Sequence, residues 1–193
     1  MKLIVVTGGV RSGKSGFAER LVEQAEAEQI ALTAENAGDQ GAVLYIATGV
    51  RVDGEMDVRI DNHRRRRPGH WTTAEAPYEL ADTVSACMAH RVVLLDCLST
   101  WISNRLVREP ESKLRDKAVT AGLQRELESW FDALSGFPGT VVIVTTEAGL
   151  GGVAMSPLGR WFQDALGDAN QLAASRADEV YAVLSGIPWR IKG

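Results

Sequence analysis

Leu3-Ile4-Val5-Val6-Thr7-Gly8-Gly9-Val10-Arg11-Ser12-Gly13-Lys14-Ser15 carries the strongest architectural signal in the chain. The first five residues form a short, continuous apolar and β-branched run, which reads as a strand buried on both faces. Gly8 to Ser15 then spell G-x-x-x-x-G-K-S, directly after that strand and at the opening of a helical pattern. That context is what a phosphate-binding loop requires. Its glycines let backbone N–H groups turn inward around phosphate oxygens, and the following helix adds its positive N-terminal end. Lys14 is placed to reach the β- and γ-phosphates, and Ser15 to set its hydroxyl on Mg²⁺. Gly8, Gly9, Val10, Arg11, Ser12, Gly13, Lys14 and Ser15 are therefore the first candidate nucleotide contacts.

Outward from this unit, Ala42 to Ala47, Val92 to Asp96, Val141 to Thr146 and Val180 to Leu184 repeat the short apolar run. Between the runs, Phe17, Leu21, Val22 and Ala25 recur at helical spacing, as do Leu114, Ala118, Ala121, Leu127, Trp130, Phe131 and Leu134. Leu158, Trp161, Phe162, Ala165, Leu166, Ala169 and Leu172 form the clearest amphipathic stripe. Strand and helix alternate, so the expectation is an α/β fold: a single P-loop NTPase-type domain over 1–193, three-layered around a mostly parallel sheet. The paired aromatics Trp130, Phe131, Trp161 and Phe162 sit at core spacing. Glu28 to Gly41 reads as a polar surface connection and Ser135 to Gly139 as a breaker. Gly149-Leu150-Gly151-Gly152 follows a strand at its C-terminal end, the edge where open α/β sheets bind ligands.

Composition bounds the function. The chain has 193 residues, with 21 Lys and Arg against 25 Asp and Glu, a net charge of −4. This length buries about 70% of the unfolded surface without disulfide or metal staples. The acidic balance argues against a dedicated nucleic-acid partner, so any basic cluster serves something local. No apolar run approaches a membrane span, and the N-terminus lacks a signal-peptide pattern, so the expected location is the cytoplasm. Cys87 and Cys97 have no CxxC spacing and read as small buried residues.

Two further regions carry chemistry. Val92 to Asp96 is an apolar strand ending in a carboxylate, suited either to holding the Mg²⁺ that Ser15 touches or to capping a turn. Arg59-Ile60-Asp61-Asn62-His63-Arg64-Arg65-Arg66-Arg67-Pro68 concentrates guanidinium groups in an acidic protein. It reads either as a solvated basic face or as a site for a phosphate-rich ligand. If helical, Met56, Ile60 and His63 share a face. Neighbouring cations favour neutral imidazole, the form able to attack phosphorus. His70 and His90 have no such company, and the histidines and cysteines supply no zinc-type spacing.

Taken together these residues resemble the bifunctional adenosylcobinamide kinase and adenosylcobinamide-phosphate guanylyltransferase family of cobalamin assembly. The resemblance runs from the phosphate loop through Tyr45-Ile46-Ala47-Thr48 and Asp53-x-Glu55-Met56-x-x-Arg59-Ile60-x-x-His63 to Arg67-Pro68-x-His70-Trp71-x-Thr73-Ala74-Glu75. It continues in Leu95-Asp96-Cys97-Leu98-Ser99-Thr100, Asn104, Thr146-Glu147-Ala148-Gly149-Leu150-Gly151, Asn170-Gln171, Ala177-Asp178-Glu179-Val180 and Ser185-Gly186. It implies that ATP or GTP phosphorylates the aminopropanol hydroxyl of adenosylcobinamide, and that GMP then passes from GTP to that phosphate through a covalent histidine intermediate. By position His63 is that histidine. The resemblance also implies GTP contacts at the phosphate loop, Ala47, Thr48, Gly49, Arg64, Arg65, Arg66, Arg67, Glu75 and Asp96, and a homo-oligomer, typically a trimer. It names no base for the kinase step. The competing readings are a P-loop kinase of another small metabolite, with His63 a bystander, and a nucleotide-dependent switch.

The chain departs from the family pattern in three places, one being the Glu28 to Gly41 segment, which is longer than the family's usual link before the second strand. Gly152-Val153-Ala154 stands where the family often has Ile-Val-Pro, and Gln163-Asp164 where it often has Arg-Asp. Loss of the proline points to a freer loop.

Overall fold

In the computed structural model, which describes residues 1–32, 42–50 and 67–193, the five expected strands form, with no end shifted by more than two residues. They are β1 (Lys2–Gly8), β2 (Val43–Ala47), β4 (Val92–Asp96), β5 (Thr140–Val144) and β6 (Glu179–Leu184). Two more join them: β3 (Thr72–Glu75) and β7 (Ile187–Lys192). The seven strands make one sheet in the order β3-β2-β4-β5-β1-β6-β7, parallel throughout except for the antiparallel β6–β7 pair. β3 is short and polar, and β7 is exposed along its whole length, so neither carries the apolar run that marks the central strands. Both are edge strands, held by pairing to a neighbour rather than by burial.

Helices cover both faces, which gives the expected three layers. α1 (Lys14–Leu32) lies on one face, where Ala18, Val22 and Ala25 pack with Ile4, Val6, Tyr45, Leu94 and Val144. The helix runs to Leu32, so the first part of the expected Glu28–Gly41 connection is helical. On the other face lie α2 (Val84–Met88), α3 (Leu98–Val107), α4 (Lys117–Ala133) and α5 (Pro157–Arg176), packed over Leu3, Val5, Val93, Leu95 and Ile143. Alternation along each strand supplies both cores, because successive side chains point to opposite faces.

Helix starts follow local chemistry. Asp116 accepts a 2.7 Å hydrogen bond from Ala118 N and fixes the start of α4, so Leu114 falls in the preceding turn and Ala118 is exposed. Leu123, Leu127, Trp130 and Phe131 form the buried stripe instead. In α5, Ser156 caps through Gly159 N at 3.0 Å, with Pro157 in the first turn.

Candidate active site

Five strand ends line up in one row. Val6 on β1 pairs with Val144 on β5, Val144 with Asp96 on β4, Asp96 with Ala47 on β2, and Ala47 with Glu75 on β3. The phosphate loop leaves the sheet two residues beyond that row, and the candidate residues Ala47, Glu75 and Asp96 lie in it. This is the C-terminal edge, where ligands bind in open parallel sheets.

The loop itself is tightly built. Gly8 has φ 152°, and a Cβ there would stand 2.5 Å from Val183 O and 2.8 Å from Ser12 Oγ. Gly13 has φ 93°, with the Gly186 Cα 3.3 Å from where its Cβ would sit. Only glycine fits either position. Gly186 N donates to Ser12 O at 2.8 Å, so the Ser185-Gly186 turn between β6 and β7, positive in φ at both residues, buttresses the loop from behind. Ser12 Oγ is buried with no hydrogen-bond partner among the described residues. A buried hydroxyl of this kind calls for a polar ligand, and a phosphate oxygen meets the need. Lys14 Nζ donates to Gly9 O at 3.1 Å, which holds the ammonium over the loop.

Asp96 is held from the side. Its partner is Tyr45, which pairs in register with Leu94 and so faces Asp96 diagonally on the α1 side of the sheet. The Tyr45 hydroxyl donates to Asp96 Oδ2. The guanidinium of Arg67 lies over the Tyr45 ring, 3.2 Å from its centroid, a cation–π contact. The chain just after Arg67 is anchored on α1, since Trp71 Nε1 donates to Glu26 Oε2 at 3.3 Å and His70 Nε2 lies 3.0 Å from Glu26 Oε1.

Thr48, an expected nucleotide contact, is fully enclosed, at 0% exposure. Its hydroxyl accepts from Cys97 N at 2.8 Å and donates to Cys97 O at 2.9 Å, while its carbonyl accepts from Asn104 Nδ2 at 2.8 Å. Thr48 thus clamps the ends of β2 and β4 together. Ala47 and Gly49 flank it, and Glu75 is exposed at the end of β3. His63, Arg64, Arg65 and Arg66 lie outside the described residues.

The sequence reading missed Glu147 and its partners. Glu147 Oε1 accepts from Thr7 Oγ1 at 2.8 Å and from Asn170 Nδ2 at 3.1 Å. The Glu147 backbone N–H donates to Gly8 O at 3.4 Å. A carboxylate just past a buried strand at the ligand-binding edge was the available signal. The glycine-rich loop beyond it is tied down by Gln163. Its Nε2 donates to Gly152 O at 2.6 Å and Ala148 O at 3.1 Å, and its Oε1 accepts from Ala154 N at 3.0 Å. The glutamine at the departure from the family pattern therefore pins the loop where the proline is missing.

Comparisons with known proteins show the family. A family model described as cobinamide kinase / cobinamide phosphate guanyltransferase matches residues 4–191. The chain is 40% identical to the bifunctional adenosylcobalamin biosynthesis protein CobU of Escherichia coli (strain K12), over 98% of this chain and 99% of that one. It is 38% identical to the bifunctional adenosylcobalamin biosynthesis protein CobP of Pseudomonas aeruginosa, over 98% and 96%. It is also 38% identical to the CobU protein of Salmonella typhimurium, over 98% and 99%. Among solved structures, an ATPase domain aligns with a TM-score of 0.49 and 12% identity, covering 94% of this chain and 68% of that one.

Proposed function

The chain belongs to the cobinamide kinase / cobinamide phosphate guanyltransferase family, and from that membership we propose that it performs both reactions in turn on one corrinoid. It phosphorylates adenosylcobinamide with ATP or GTP, then transfers GMP from GTP to the new phosphate, giving adenosylcobinamide-GDP and pyrophosphate. The observation that carries this reading is the phosphate cradle of Gly8, Ser12, Gly13 and Lys14, set at the sheet edge that also holds Asp96.

In this reading Lys14 and the loop amides, from Gly8 through Gly9, Val10, Arg11, Ser12 and Gly13, receive the triphosphate. The Ser15 hydroxyl and Asp96 carboxylate are hard oxygen donors of the kind Mg²⁺ takes, usually with several waters retained. Mg²⁺ bound there supplies positive charge for the phosphate oxygens. Ala47, Gly49 and Glu75 line the nucleotide site along the strand ends, with Thr48 fixing their spacing. His63 attacks the α-phosphorus of GTP, and the P–O bond to pyrophosphate breaks as the P–N bond forms. Arg64, Arg65, Arg66 and Arg67 stabilise the charge that develops on the leaving group. A phosphate oxygen of the corrinoid then attacks the same phosphorus and releases His63.

The same reading takes residues 1–193 as one nucleotide-binding domain working in the cytoplasm as a homo-oligomer of three copies. No helix among the described residues is long and apolar enough to cross a membrane. The outward apolar row of Ile187, Trp189 and Ile191 on β7 supports association between copies.

The test is a one-pot reaction of purified protein with adenosylcobinamide, ATP, GTP and Mg²⁺, followed by mass spectrometry of the corrinoid. The expected result is a phosphate adduct that converts to a GDP adduct. A corrinoid that gains only phosphate, or nothing, contradicts the reading.

A further inference from the structure

The kinase half needs a group to take the proton of the attacking alcohol, and the sheet order separates the carboxylates at this edge. β5, which leads into Glu147, is the immediate neighbour of the phosphate-loop strand. Asp96 on β4 is two strands from β1, and Glu75 on β3 is four. At about 4.8 Å per strand, those separations are about 10 Å and 19 Å. Asp96 is also engaged by the Tyr45 hydroxyl. Glu147 is the described carboxylate whose own backbone touches the loop, at Gly8 O.

The Glu147 side chain is oriented in a way a merely structural link does not require. Asn170, only 8% exposed, accepts from Thr145 Oγ1 at 2.6 Å through its Oδ1. Its Nδ2 therefore faces the other way, donating to Thr146 O at 3.0 Å and to Glu147 Oε1 at 3.1 Å. Thr7 Oγ1, one residue before the loop, donates to the same oxygen. One carboxylate oxygen is thus fixed by two donors. The other, Oε2, accepts no hydrogen bond from any described residue. A hydroxyl or amide could bridge Thr7 and Asn170 equally well, whereas a carboxylate adds a second oxygen with free lone pairs beside the phosphate loop.

We propose that Glu147 is the general base of the phosphoryl-transfer half-reaction, a role that rests on the bifunctional reading above. Oε2 takes the proton of the aminopropanol hydroxyl as that oxygen attacks the γ-phosphorus. The O–H bond breaks and the new O–P bond forms. The bond from the γ-phosphorus to the bridging oxygen breaks with its electron pair left on the nucleoside diphosphate, and the proton leaves Glu147 to solvent. Thr7 and Asn170 are positioning residues, holding Oε1 so that Oε2 meets the acceptor.

The experiment compares wild type, Glu147→Gln and Glu147→Asp in two separate assays: phosphorylation of adenosylcobinamide, and GMP transfer to adenosylcobinamide phosphate supplied ready-made. General-base catalysis contributes about 10²–10⁴-fold. Glu147→Gln is therefore expected to lower the kinase kcat by about 100-fold or more, with GMP transfer kept within about threefold. Glu147→Asp, which keeps a carboxylate, is expected to recover kinase activity well above the glutamine variant. Kinase activity kept in Glu147→Gln, loss of both activities together, or an aspartate variant no better than glutamine overturns the assignment. Wild-type protein that makes neither product overturns the bifunctional reading, and the base role with it.

Discussion

The Tyr45 hydroxyl donates a 2.5 Å hydrogen bond to Asp96 Oδ2 across adjacent strands β2 and β4. Burial, and then the Asp96 charge, hold the phenol well above its ordinary range, so the proton stays on tyrosine and the bond keeps its donor. Tyr45 fixes the carboxylate proposed to hold Mg²⁺. The Tyr45→Phe variant keeps the ring under Arg67 and removes only the donor. The expected outcome is a loss of about 1–2 kcal/mol in urea unfolding. The Mg²⁺ concentration for half-maximal activity is expected to rise about tenfold, which corresponds to about 1.4 kcal/mol. An unchanged Mg²⁺ titration contradicts a link between Tyr45 and metal binding.

Lys14 is poised over the loop, on Gly9 O at 3.1 Å. Lys14→Ala removes the cation proposed to meet the β- and γ-phosphates. Triphosphate affinity is expected to fall at least tenfold, and both activities to fall with it in the proposed reading, where one loop serves both steps. Calorimetric titration with GTP and the two separate activity assays check this. An activity spared by the substitution requires a second nucleotide site.

Gln163 ties the 148–154 segment through three hydrogen bonds at 2.6–3.1 Å. Each is worth about 1 kcal/mol, less where water competes. In Gln163→Ala, hydrogen exchange at the Ala154 amide is expected to accelerate about tenfold or more, while global stability falls by about 1 kcal/mol. Unchanged exchange at Ala154 shows that the backbone alone holds the loop.

Glu179 links β6 to both neighbouring strands. Its carboxyl is held below the usual glutamate range, first by the Tyr181 hydroxyl and then by Lys2 and Arg190, against an opposing desolvation. A lowered folded-state value means the stabilisation is full above the unfolded value and is lost as pH falls through the folded one. Glu179→Gln is expected to unfold about 1 kcal/mol more easily than wild type at pH 7, with the gap shrinking below about pH 4. A gap that persists in acid contradicts the electrostatic origin.

The central strands and the phosphate loop were legible because burial on two faces writes continuous apolar runs. β3 and β7 were not, because exposed edge strands carry no such signature and β7 contains Pro188. Asp96 was legible as a strand-end acid, but Tyr45 is 51 residues away in sequence, and only the β2–β4 register brings them together. Glu147 stood in plain view, yet its partners Thr7 and Asn170 are 140 and 23 residues distant. The resemblance implies Thr48 as a nucleotide contact, whereas the bonds of its hydroxyl to Cys97, 49 residues away, follow only from the way β2 and β4 lie side by side. Single side chains can be read from a pattern, whereas pairs joined across the sheet need the topology.

The bifunctional reading requires that one chain both bind nucleotide in this loop and carry GMP on a histidine. Both requirements meet in the intact mass of the protein after incubation with GTP and Mg²⁺ and no acceptor, with peptide mapping of any adduct, run beside His63→Ala. One guanylyl group per chain, acid-labile, alkali-stable, mapped to His63 and absent from the variant, is the expected result. Folded, GTP-binding protein that forms no adduct, or an adduct that survives in His63→Ala, contradicts it.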